Sequence, residues 1–396
     1  MTDHAPHTPT STLLIANLLA QIAFGLFAMT ICLPSMQEWG TIFGASQSRV
    51  QLTFSAFIVA FGTFQLVYGP LSDRYGRKVM LMTGLALAGA GSVLAALATD
   101  LNGLTAARAL QGAGCAAGMV VGRSMVQDLF DGPQRTRVMA YIGMALGLTP
   151  PLASIVGGQL HVRLGWQANF LLVGALAVLL LIAAWRWIPA GRKTPIAGSH
   201  WLGDMRTAYT RLARTPAFLL YVAILSLTTA TFFAFLAGAP IVLGSFGVGP
   251  QDVGWYIMLV ASMYIVGNYL TSSLVRHHGE RRLMTLGQVA TLTGLGLSLG
   301  FALAGFDSPL FFALPLMLLG LGHGFLMPPC LAGTVSLLPG LAGSAAAVAG
   351  LMQQLMGATA GYAVGLLPQG GSLYLGLLML GFTLLALVAQ LLLHRR

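Results

Sequence analysis

"GPLSDRYGRK", Gly69 to Lys78, sets one Asp and three basic residues between two apolar runs, Val50–Tyr68 and Val79–Ala98. Charge is scarce in the rest of the chain. Charged residues are 8% of 396, against about 25% in an ordinary soluble domain. Apolar residues make up 56%, and the mean hydropathy is +0.81. A soluble fold of this size would have no surface to match that composition. A helical membrane protein needs it, because lipid replaces water as the solvent. Fifty glycines fit the same reading, since helices that pack in lipid favour small residues at their contacts.

Twelve runs approach the 20 or so residues that a helix needs to cross the hydrocarbon core. They lie near 13–35, 49–69, 79–99, 103–125, 138–160, 166–188, 217–241, 253–275, 283–304, 309–331, 344–367 and 372–393. The polar connection Pro189–Thr215 divides six from six. The expected fold is an all-α membrane protein of 12 transmembrane helices in two pseudo-symmetric six-helix bundles. Its parts are a tail over 1–12, a bundle over 13–188, a linker over 189–216, a second bundle over 217–393 and a tail over 394–396. Met1–Thr12 has no Lys or Arg, so the first run is read as a retained helix instead of a signal peptide.

The net charge of +10 has a topological meaning. Seventeen of the 20 Lys and Arg residues fall in connections on one side; the other side has Arg49 and Arg163, and Arg108 lies inside a run. The positive-inside rule then puts both termini and the linker in the cytoplasm. No nucleic-acid partner is implied. Cys32, Cys115 and Cys330 lie in apolar runs without disulfide or metal spacing, and no cofactor or metal is expected.

The opening stretch returns in the second half. "GPLSDRYGRKVML" aligns with "SSLVRHHGERRLM" at an offset of 203, with Gly76 opposite Gly279 and Asp73 opposite Arg276. Two such halves make the architecture in which substrate sits at the midplane and the halves rock about it.

Gly69, Leu71, Ser72, Asp73, Arg74, Gly76, Arg77 and Lys78 meet the pattern G-x-L-[AS]-D-R-x-G-R-[RK]. In this the chain resembles the major facilitator superfamily. "LTAARALQGAGCAAGMVVGRSMVQDLF", with Arg108, Gln111 and Gly112, resembles the fourth helix of its twelve-helix drug:proton antiporters of the Bcr/CflA type. "FFAFLAGAPIVLGSFGVGP" and "GERRLMTLG" resemble the seventh helix and second cytoplasmic loop of that group. Two departures stand out. "MTICLPSM" has Thr30 where these transporters commonly carry an Asp, and "ASIVGG" has Ser154 in place of a proline.

The resemblance implies a monomer in the bacterial inner membrane that exports small organic molecules by alternating access, with protons as coupling ion and lipids as surroundings. A dedicated exporter of an endogenous metabolite such as a siderophore is the alternative. It also implies a cytoplasmic latch that steadies the outward-open state. That latch comprises Gly69, Asp73, Arg74, Gly76, Arg77 and Lys78, with Asp128 as a partner carboxylate.

All ten acidic residues fall in loops or at helix ends, so no carboxylate serves as a midmembrane proton relay. His323, in "GLGHGFLMPP", and Arg108 remain as candidate coupling or cavity groups. Histidine titrates near pH 6.5 when unperturbed, which suits proton coupling. Arg108 is expected either as an interhelical hydrogen-bond hub, in reach of Glu38 or Asp100, or as a cavity charge. The candidate cavity wall comprises Gln21, Phe24, Phe27, Phe57, Phe61, Gln111, Phe232, Phe233, Phe235, Gln353 and Gln354, an apolar lining with a few amides. A membrane enzyme is the reading from a different class. The chain has no H-E-x-x-H for zinc and no Gly-Lys pair for a P-loop, which leaves zinc-dependent hydrolysis and ATP-driven transport without machinery.

Overall fold

A computed structural model describes residues 12–189, 207, 210–337, 341–368 and 371–395. The tail before residue 12 and nearly all of the expected linker lie outside these. The helices of the first half are α1 (Thr12–Thr30), α2 (Met36–Ile42), α3 (Gln47–Tyr75), α4 (Arg77–Ala96), α5 (Leu101–Leu129), α6 (Gly132–Leu164) and α7 (Gln167–Trp187). The second half has α8 (Pro216–Ser245), α9 (Pro250–Leu303), α10 (Pro309–Ser336), α11 (Ala342–Val364) and α12 (Ser372–His394).

Among the described residues, nine helices are long and apolar enough to cross a membrane. The count of twelve crossings is restored by three facts. α9 folds back at Gly279 (φ 75°, ψ 158°) and therefore crosses twice. α5 and α11 are long enough but rich in small and polar residues. α5 tolerates that composition because it is buried in its bundle, from Leu101 to Val126. Gly76 makes the matching break between α3 and α4 at φ 102°, so both members of the aligned glycine pair hold a conformation that disfavours side chains.

The two halves repeat in their packing. α3, α4, α5 and α7 pack together in the first half, and α8, α9, α10, α11 and α12 in the second. A Cβ at Gly84 would lie 2.7 Å from the Gly114 carbonyl oxygen, and one at Gly287 would lie 2.6 Å from that of Gly322. Gly91 meets the Gln111 amide at 2.5 Å, and Gly294 the Pro315 carbonyl at 2.6 Å. Gly112 presses on the Phe57 carbonyl as Gly320 presses on that of Val260. The third helix of each half is thus 203 residues from its counterpart and the fourth is 208, with the extra residues in the connection before α10.

The first helix departs from expectation. The run over 13–35 is not one helix: α1 stops at Thr30, residues 31–35 form turns, and the short α2 follows. Pro34 has no amide hydrogen to return to Thr30, whose carbonyl accepts from Leu33 N at 3.1 Å instead. The counterpart α8 runs unbroken for 30 residues.

Candidate functional site

The bundles meet along α3–α11 and α6–α9. Most basic connections lie at one end of the molecule, termed the basic end. The cross-bundle hydrogen bonds among the described residues lie toward the other end, the far end. Gln37 Nε2 donates to the carbonyls of Pro240 and Val248, and Gln51 Nε2 to that of Ala237 at 3.0 Å. Ser55 Oγ donates to the Ala358 carbonyl at 2.8 Å, and Gln159 Nε2 reaches that of Gln251 at 3.5 Å. Glycines bring the backbones together in the same region, as Gly365 against Ser48 and Gly254 against Ile155. These contacts hold the two bundles together at the far end. Sequence reasoning missed these gate residues; their one signal was a set of amides at the far ends of otherwise apolar runs.

The candidate wall residues divide into two groups. Phe233 packs over Gly357 in its own bundle and within 6.2 Å of the Phe54 ring across the interface. Gln354 lies against Gly62 of α3. Gln353 accepts from Thr229 Oγ at 3.2 Å. Phe232 and Phe27 are half-buried. The second group faces inward within a bundle. Gln21 donates to Asn17 Oδ1 and the Leu180 carbonyl, so it serves α7 and not a cavity. Phe61 lies over Gly25, Phe57 stacks on Phe61, and Gln111 bonds Ser92 Oγ at 2.8 Å; all three belong to the first bundle's interior. Phe235 faces Phe312 in the second bundle, and Phe24 is buried on α1.

Arg108 is fully buried. It reaches neither Glu38, which pairs with His161 at 3.0 Å, nor Asp100, which caps α5 through the amides of Asn102 and Gly103. Its guanidinium closes the broken end of α1: Nη1 donates to the Ala28 carbonyl at 2.9 Å and Nη2 to that of Met29 at 3.2 Å. Those carbonyls belong to the last turn of a helix, which lacks internal donors and carries partial negative charge. Nη1 also donates to Gln111 Oε1, and the Phe57 ring lies 4.3 Å beneath the guanidinium carbon. The hydrogen-bond hub is the arrangement found.

His323 is buried at 3% exposure, edge-on to Phe232 at 6.4 Å, and makes no hydrogen bond to a described residue. Gly320 and Gly324 beside it press on α9 near Val260 and Asn268. Thr30, at the position of the missing Asp, turns its hydroxyl back to the Leu26 carbonyl at 2.8 Å. The eight described acidic residues all sit at helix ends or in connections, as expected.

At the basic end, Arg77 joins Asp73 at 2.7 Å and Asp128 at 3.1 Å, and also donates to Ser72 Oγ. Arg74 is exposed over the Tyr75 ring, with no carboxylate partner among the described residues. Lys78 Nζ donates to the Trp185 carbonyl at the end of α7 at 2.6 Å, and Arg281 to the His394 carbonyl at the end of α12 at 2.9 Å.

Two six-helix bundles built as repeats of one another are the architecture of a membrane transporter. Residues 13–361 match the family described as the Major Facilitator Superfamily, and the chain belongs to it. It is 27% identical to Multidrug resistance protein D of Escherichia coli over 370 residues, 92% of each chain. It is also 27% identical to the Chloramphenicol resistance protein of Pseudomonas aeruginosa, over 78% of this chain and 74% of that one. The crystal structure of a D-xylose-proton symporter superposes with a TM-score of 0.77 at 15% identity, covering 97% of both chains.

Proposed function

We propose that this secondary transporter exports small, uncharged organic molecules across the bacterial inner membrane, with both termini and the linker in the cytoplasm. One observation carries the substrate class: among the described residues, and apart from Arg123 near the basic end of α5, the spans offer the space between the bundles no ionised side chain. The described carboxylates lie at helix ends or in connections, and Arg108 is spent on the carbonyls of α1. Amides and aromatics such as Gln353, Gln354, Phe232 and Phe233 are left to meet the solute, and these suit a neutral ligand. The relatives' names make a drug the first cargo to test. Under the positive-inside orientation the basic end faces the cytoplasm, and the contacts of the far end hold the bundles together on the opposite side.

His323 is the coupling group in this reading, and the Asp73–Arg77–Asp128 network is the half of the latch that stays with the first bundle when the cleft is open. The protein works as a monomer among lipids. The experiment is efflux of uncharged chloramphenicol from loaded proteoliposomes under an imposed proton gradient, with ethidium as the cationic contrast. Chloramphenicol should move and ethidium should not. Preference for ethidium would overturn the substrate class. His323→Gln should flatten the dependence on pH, and an unchanged profile would return that histidine to packing.

A further inference from the structure

α5 carries two arginines, Arg108 and Arg123. Arg108 is spent on α1, but Arg123 makes no hydrogen bond, ion pair or ring contact among the described residues. The nearest carboxylate along its helix, Asp128, is turned to Arg77. The Arg123 side chain is exposed, yet protein crowds round its charge. A residue that lines a space inside the molecule meets both conditions. Helix periodicity identifies the space. Gly114 lies nine residues earlier and so on the opposite face of α5, where a Cβ would run into the Ala88 amide of α4. Because α4 packs on α3, α5 and α7 of its own bundle, Arg123 points away from that side and toward the second bundle. The other half supplies the contrast. The position 208 residues beyond Arg123 is Leu331 on α10, which is also exposed, at 48%. One turn before them, Val120 and Pro328 are both half-buried. The two helices thus present the same face, and hydrocarbon serves on one of them. The fold does not require an unpaired guanidinium on the other, and ionisable side chains within spans mark substrate paths.

We propose that Arg123 sets the charge preference of the solute's path. It takes the carboxylate of a small organic monoanion, whose uncharged body meets the amides and aromatics of the wall, and it turns organic cations away. A guanidinium offers a planar pair of donors to such a group. The cargo then includes monoanions as well as neutral molecules. Export of the anion rests on the transporter reading proposed above, while its recognition needs only this side chain.

Binding and transport are tested separately. Three probes share a nitrophenyl body: chloramphenicol, its hemisuccinate ester, a monoanion, and the aminodiol left when its dichloroacetyl group is removed, a cation. Equilibrium binding of each to the full-length protein in nanodiscs is measured by calorimetry. The hemisuccinate should bind about fivefold or more tighter than chloramphenicol, and the aminodiol about fivefold or more weaker, as one partly solvated charge contact implies. Arg123→Leu, with the side chain that the second half carries here, should bring the anion-to-neutral ratio close to one, and Arg123→Lys should keep part of it. Arg123→Gln makes the same comparison where the leucine variant fails to insert. High salt should shrink the wild-type preference and leave the ratio of the uncharged variants as it is. Hemisuccinate that binds no better than chloramphenicol, or a preference that survives in Arg123→Leu or Arg123→Gln, would overturn the site. A preference that those variants remove, in a protein that moves neither compound out of proteoliposomes, would uphold the site and count against the transport reading alone.

Discussion

The two halves share one scaffold but differ at its centre. In the first, Arg108 and Gln111 on α5, Ser92 on α4 and Phe57 on α3 form a buried polar hub. The positions 208 residues beyond Arg108 and Gln111 are Leu316 and Leu319, and those 203 beyond Ser92 and Phe57 are Leu295 and Val260. All four are aliphatic and at most 1% exposed. The fold therefore fills this space with hydrocarbon when nothing else is required. The requirement in the first half comes from α1, whose break at Thr30 leaves the Ala28 and Met29 carbonyls for a donor outside the helix. Unbroken α8 makes no such demand. The guanidinium is there because a helix stops in the bilayer, and its planar fork can serve two carbonyls at once.

The sharpest way to break this comparison is Leu316→Arg. The new charge would face a helix whose carbonyls are already bonded, and an arginine at a helix centre costs roughly 3 kcal/mol on insertion scales. Yield and melting temperature in detergent should fall markedly. Addition of Leu319→Gln and Leu295→Ser should not restore them. A stable, active triple variant would show that the hub needs no broken helix.

The reverse change, Arg108→Leu, removes a buried charge together with the donors to two carbonyls. Each orphaned carbonyl costs about 1–3 kcal/mol, partly offset by the charge that no longer has to be kept dry. Hydrogen exchange at residues 28–33 should rise and transport should be lost. Arg108→Lys keeps the charge but not the fork, and should fall between the two. A lysine variant indistinguishable from wild type would reduce the role of Arg108 to charge alone.

Where the halves agree, paired substitutions should agree as well. Gly84→Ala and Gly287→Ala each push a methyl group against the backbone of the neighbouring helix, with overpacking costs of about 1–3 kcal/mol. Both losses of thermal stability should fall in that range. A large difference would mean that the shared glycine geometry hides unequal packing.

The spans, their number and the glycine breaks were legible in the sequence, since hydropathy and the 203-residue repeat report lipid exposure and chain reversal directly. The break in α1 was not. Pro34 sat in plain view, but Pro150, Pro151, Pro240, Pro315, Pro328 and Pro329 all lie inside continuous helices, so proline alone does not mark an end. Which of the candidate wall residues face the other bundle was not legible either. Gln21 and Gln354 are the same residue in similar runs, and only the rotation of each helix sends one to α7 and the other to the opposite bundle. When a helix is apolar all round, its sequence carries little record of that rotation.

The smallest effect on stability belongs to the network of Asp73, Arg77 and Asp128 at the basic end. Asp73 and Arg77 have their counterparts in Arg276 and Glu280, with the signs exchanged, and among the described residues the second pair forms no ion pair. The Asp73 carboxylate is 45% exposed, so its pairing with Arg77 is worth about 0–1 kcal/mol in the conformation described. Asp73→Asn should leave the melting temperature almost unchanged. If the carboxylate works as a latch, its partner lies across the cleft in the other conformation, and the substitution should lower transport severalfold by depopulating that state. Arg276→Gln removes the matching charge from the half without the network and should change neither quantity. Equal transport by both variants would make Asp73 an ordinary surface carboxylate, and equal impairment would move the latch from one half to the pair of them.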